Sequence, residues 1–292
     1  MAVANSFTKF MSQFIENTNE SIESMQSHMI FPEKITDFLT WVRETTEAAW
    51  RQASSDNYLH NAKWLPLSEQ EINDLEQKYS IKFGPEHRAF LSILHTIDKK
   101  DPDYYAGIED TDEGSDIKAK GQPSLFYNWH TDTEWIESRL TWPYETILQD
   151  ILGVNRFWLK SWGPRLETEQ EKIRVFSSWY NKAPKLLPIT AHTFLMNHEL
   201  TGLRAVLSVW GSDTIVAAWN LRHYLMRQFP QELNIQELVY DDEDKCYYGE
   251  IMKGIPELDT LETIRLADAD IPHWKEIITH WSFSQWQGFR VD

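Results

Sequence analysis

Histidines, a single cysteine and a dense run of carboxylates are the residues from which this chain could build a reaction centre. His192 and His198 stand six apart on a stretch that reads as strand and then loop. A helix offers two imidazoles to zinc one turn apart, so this pair reads as structural. Cys246 has no second cysteine to pair with and no neighbouring motif that would activate it as a nucleophile. Asp213 falls in a turn, where its side chain serves nearby backbone. Asp110, Asp112 and Asp116 carry the alternation of a calcium loop. However, Gly114 and Ser115 take the fifth and sixth positions, and Gly121 falls where a bidentate glutamate is required. No Gly-x-Ser-x-Gly, phosphate loop, His-Glu-x-x-His or paired-cysteine site occurs. The expectation is a protein that is not an enzyme, with no catalytic, cofactor-binding or metal-binding residues.

A different chemistry suits the acids. Asp98 to Asp116 holds Asp98, Asp101, Asp103, Glu109, Asp110, Asp112, Glu113 and Asp116 against Lys99 and Lys100, broken by Pro102, Gly107 and Gly114. This is a solvated loop whose functional reading is a docking surface for a basic partner. Tyr104, Asp110, Asp112, Glu113 and Asp116 are the expected contact residues. Net charge is −17, so the mean field repels phosphate backbones and anionic lipid and draws in a basic protein. Neither nucleic acid nor membrane is therefore expected as a partner, and oligomeric state is left open. One cysteine excludes an intramolecular disulfide and suits a reducing cytoplasm. No run of 18 apolar residues occurs, and polar residues interrupt the N-terminus where a signal peptide would be apolar.

The elements that must carry such a surface are legible from periodicity. Residues 7–29 place Phe7, Phe10, Met11, Phe14 and Ile15 on helical spacing, with the wrong polar-face charge for a lipid anchor. Pro32 starts a second helix with Ile35, Phe38, Leu39 and Val42 inward. Ser68-x-x-Glu71 is a capping-box start, and Gly84-Pro85 opens a further helix bearing Phe90, Leu91 and Leu94. Leu125 to Trp129 reads as a strand, Asp132 as a helix cap, and Thr141 with Pro143 as a fresh turn. Lys185 to Ile189 reads as an edge strand because of Pro188. Ala205–Trp210 and Thr214–Trp219 make a hairpin around Gly211-Ser212-Asp213, and Asn220 caps the helix that follows. An acidic run at Asp241 to Asp244 precedes a closing helix with Trp274, Ile277 and Ile278 inward.

Trp64-Leu65-Pro66-Leu67-Ser68, Glu71-Ile72, Leu75-Glu76 and Pro85 to Leu91 together resemble the opening motif of the SUKH superfamily, which includes toxin-immunity proteins and a fungal cell-wall regulator. Leu187-Pro188-Ile189, His192 to Leu195, Val206 to Val209, Ser212 to Ile215 and Asn220-Leu221 are similar to its later strands and closing helix. His95-Thr96 stands where the family often has Asn-Gly, and Ala217-Ala218 where it often has Tyr-Gly. The resemblance covers roughly residues 62 to 229. It implies a cytoplasmic immunity protein that binds and neutralises a protein toxin, with a regulatory scaffold for a housekeeping partner as the alternative. An unrecognised hydrolase ranks third. The expected fold class is α+β, a largely antiparallel sheet flanked by helices with helical extensions at both ends. Its expected parts are a helical extension at 1–57, a core at 58–230 and a packed C-terminal extension at 231–292.

Overall fold

Phe38, Leu39, Val42 and Trp50 share one side of helix α1 (Ile35–Gln52), and all four are buried. The computed structural model in which they lie describes residues 30–102, 122–197 and 204–284. The expected helix at 7–29 is outside these residues. Helix α1 starts three residues after Pro32, whose carbonyl instead accepts a hydrogen bond from Arg222 Nη1 at 2.5 Å.

Strand β1 (Trp64–Leu65), α2 (Glu69–Tyr79), α3 (Pro85–Ile93) and β2 (Thr96–Ile97) follow. At the start of α2 the Glu71 amide donates to Ser68 Oγ at 3.3 Å, and the Ser68 amide donates to Glu71 Oε2 at 2.7 Å. Both partners are polar and exposed, so the box sets where the helix begins without contributing to the core. Ser68→Ala is expected to lower stability by about 1 kcal/mol, measured as a shift in the urea midpoint at unchanged slope. Gly84 and Pro85 open α3 as N-cap and first residue. His95 then turns the chain into β2 with φ 59, the left-handed region where asparagine and histidine are enriched. Its ring secures that turn: Nδ1 bonds the Leu65 carbonyl at 2.8 Å and Nε2 accepts the Trp129 amide at 3.0 Å.

Helix α4 (Thr133–Leu152), a 3-10 turn at Lys160–Trp162, and α5 (Glu169–Tyr180) lead into the main sheet. Strands β3 (Lys185–Thr190), β4 (Thr193–Asn197), β5 (Val206–Trp210) and β6 (Asp213–Ala218) pair antiparallel in chain order, so β3, the strand with Pro188, is an edge. Residue parity sends Leu187, Leu195 and Val206 to one face and Leu186, Phe194, Met196, Leu207 and Val209 to the other. The first set packs with Phe38 of α1, Ile72 of α2, Phe90 of α3 and Leu225 of α6 (Leu221–Gln228). The second packs with Ile147 and Ile151 of α4, Phe176 of α5 and Ile277 of α8 (Trp274–Ser284). The fold is α+β, with the four-stranded sheet between two helical layers. A second hairpin, β7 (Gln236–Asp241) with β8 (Cys246–Ile251), and α7 (Pro256–Glu262) complete the described chain.

Three local expectations are corrected. Leu125 to Trp129 is a buried turn rather than a strand, and only the Tyr127 amide reaches β3, at the Ile189 carbonyl, 3.0 Å away. The cause is Asp132. Its Oδ2 accepts the Ser124 amide at 2.8 Å and the Asn128 amide at 2.9 Å, so the carboxylate folds the preceding loop and makes no side-chain cap on its own helix. Pro143 opens no new turn, because α4 runs through it. Trp135 and Ile136 anchor one half of α4 in the first core, Ile147 and Ile151 the other half in the second. Burial at both ends outweighs the roughly 3 kcal/mol of an interior proline.

Candidate protein-binding hairpin

Ile235 is fully buried, and its carbonyl accepts the Met252 amide at 2.9 Å, which ties the base of β7 to the exit of β8. Beyond that root the ribbon presents large apolar side chains to solvent. Pairing places Leu238 opposite Gly249 and Tyr240 opposite Tyr247, so these residues share one face by strand parity. Leu238 is 72% exposed and Tyr247 67%, while the Tyr240 and Tyr247 rings lie 4.9 Å apart. An isolated two-stranded hairpin is marginal in water, so such a face exposed on an outlying ribbon is a feature that folding does not explain.

The opposite face is acidic. Glu237 stands directly across from Glu250, and Val239 across from Tyr248. Like charges facing each other across strands destabilise the pair, and a cation placed between them would relieve it. The Tyr248 phenol hydrogen-bonds Glu250, which raises its pKa by holding the proton against a carboxylate. At the tip, Asp241 Oδ1 accepts the amides of Glu243 at 2.7 Å and Asp244 at 3.1 Å, and Lys245 closes the turn at φ 52. Asp241, Asp242, Glu243 and Asp244 are thus held together with Lys245 beside them. Aromatic anchors beside a concentrated charge form the pattern by which protein surfaces combine affinity with steering.

Tyr104, Asp110, Asp112, Glu113 and Asp116, the expected contacts, lie outside the described residues. The acidic loop's described foot is held by the Lys63 amide donating to Asp98 Oδ1 at 2.8 Å and by Lys100 Nζ, 3.8 Å from Asp132 Oδ1. Sequence reading noticed Asp241 to Asp244 but missed the hairpin around it. The signal available was Leu238 and Tyr240 before the acids and Tyr247 after them, an alternation that reads as two short strands. Among the residues weighed for chemistry, His192 sits at the β3–β4 turn with its ring 5.8 Å from Trp210. Burial and the nearby Arg139 charge lower its pKa. Asp213 starts β6 opposite Trp210, and Cys246 is exposed on the ribbon. His198 is outside the described residues. Among those described, no group of three or more histidine, cysteine or acidic side chains is placed to hold a metal ion, and no helix is long and apolar enough to cross a membrane.

Comparison of the chain with family models, with curated proteins and with solved structures returned no match.

Proposed function

We propose that this protein is a cytoplasmic binding protein that captures and neutralises a basic protein toxin, with the hairpin Gln236–Ile251 as its contact element. The observation that carries the reading is the exposed Leu238, Tyr240 and Tyr247 face joined to the acidic tip at Asp241–Asp244. The resemblance of residues 62 to 229 to SUKH proteins supports the toxin as partner, and the net charge of −17 supports its being basic. A second copy of this chain is a poor occupant, since two such tips repel. Neutralisation works by occlusion: the ribbon lays its aromatic face on the toxin and covers the toxin's working surface, with no bond made or broken.

The test is co-expression with the product of the reading frame immediately upstream, scored by growth and by the rate of complex formation at rising salt. Rescue of growth and a complex whose association slows with salt are the expected results. Asp242→Lys with Glu243→Lys and Asp244→Lys should slow association by roughly tenfold or more and flatten its salt dependence. Tyr240→Ser with Tyr247→Ser should act mainly on dissociation. Reversal of Asp110, Asp112, Glu113 and Asp116 in parallel separates the two acidic surfaces. An unaltered rate there, with a slowed rate for the tip variant, assigns steering to the hairpin. Growth arrest that this chain does not relieve would remove the immunity reading.

A further inference from the structure

The edge strand β3 forms the floor of a trough that holds no described chain. Helix α2 and the residues after it form one wall through Tyr79, Ile81 and Lys82; Leu140 of α4 and Tyr180 of α5 form the other, and the enclosed space is about 780 Å³. Lys185, Leu186 and Leu187 of β3 line it. Among the described residues the backbone bond reaching β3 from outside the sheet comes from Tyr127 to Ile189, at the far end of the strand. Lys185, Leu186 and Leu187 line the trough together with Asn197 of the paired strand β4, and along Lys185–Leu187 the outer edge of β3 has no backbone partner from the described chain. A further observation points to an occupant. Lys185 holds its ammonium 5.3 Å from the Tyr180 ring centroid with no described carboxylate in ion-pair range, whereas Lys82 is paired with Glu76 at 2.6 Å.

We infer that this trough binds an extended segment of a partner protein, which adds a strand to β3 and places an acidic side chain on Lys185. Strand addition draws affinity from main-chain hydrogen bonds and specificity from alternate side chains. Here Tyr79, Ile81, Leu140 and Tyr180 supply apolar walls for those side chains, and Lys185 supplies the charge. The occupant is thus acidic and apolar in alternation, the opposite of the basic surface that suits the hairpin. The trough and the hairpin are separate sites, and this inference stands without the toxin reading.

The probe is a displayed library of random nine-residue peptides selected on the full chain, with hits measured by fluorescence anisotropy. Enrichment of peptides with an acidic residue flanked by alternating apolar positions is expected. Lys185→Glu, an exposed substitution, should weaken the hits by roughly tenfold. N-methylation of alternate amides should abolish binding in one parity and spare the other, a signature that side-chain capture alone does not produce. The hairpin-tip variant should bind the same peptides unchanged. A library without binders, hits indifferent to Lys185→Glu, or equal tolerance of both N-methyl parities would each overturn the inference. So would a dimer of the chain that forms with concentration and dissociates in Lys185→Glu, since it would put a second copy in the trough.

Discussion

Trp64→Ala is expected to remove about 3–5 kcal/mol of stability, a large part of the roughly 5–15 kcal/mol that holds a domain of ordinary stability together. Trp64 is 2% exposed, with its ring 5.7 Å from Trp50, 5.4 Å from Phe126 and 5.7 Å from Phe229. Those neighbours come from α1, from the turn before α4 and from the end of α6, so one ring joins three parts of the chain. Its Nε1 also donates to Thr46 Oγ1 at 2.9 Å inside the core. Truncation therefore leaves a large cavity and an indole-sized loss of contact that no single neighbour can fill. Trp64→Phe keeps most of the ring contact and loses the hydrogen bond, and should cost about 1–2 kcal/mol. Urea unfolding followed by far-UV circular dichroism checks both. An alanine variant within 1 kcal/mol of the parent would mean that the first core does not close around this residue.

Acid should begin to destabilise the protein above the range where its carboxylates titrate. Three histidines are buried neutral: His87 is pushed down to about 3, His95 to about 4 and His223 to about 4, each chiefly by desolvation. His87 is the extreme case, set against Phe83, Phe90 and Trp129 with no partner among the described residues for either ring nitrogen. His95 feels His130 unfavourably and Asp132 and Glu71 favourably; His223 feels Arg227 unfavourably and Glu257 favourably. A histidine with a depressed folded pKa takes up its proton first in the unfolded chain. Its contribution is complete above the unfolded value near 6.5 and is lost as pH falls from there towards 4. By pH 5 the three together cost on the order of a few kcal/mol. Glu86, raised by burial, works in the opposite direction, while His192 and His280, also lowered by burial, add to the three. Urea midpoints at pH 7.5 and pH 5.0 provide the measurement. Equal midpoints would show that folded and unfolded chains bind the same number of protons over this range.

What could be read from the sequence was what neighbours along the chain decide. Ser68 with Glu71, Gly84 with Pro85, Asn220 with the amide of His223, and Gly211-Ser212 between two β-rich runs each act over a few residues, and each forms as read. Pro188 likewise marks the edge strand. Failures arise where a distant group decides. Pro143 breaks a helix in isolation, but Ile136 and Ile147 sit in two different cores that keep it continuous. Asp132 has a helix to cap and two loop amides to bind, and the amides of Ser124 and Asn128 win. The hairpin at Gln236–Ile251 is masked in the sequence because four consecutive acids interrupt the alternation on either side of them. Its aromatic face is a property of register, which only pairing reveals.

The chain's one cysteine lies across from Asp241, and strand parity puts it on the side of the ribbon away from Leu238, Tyr240 and Tyr247. A maleimide fluorophore can therefore be attached to the unaltered polypeptide next to the acidic tip, leaving the aromatic side uncovered. The native molecule carries its own labelling point for watching a partner arrive.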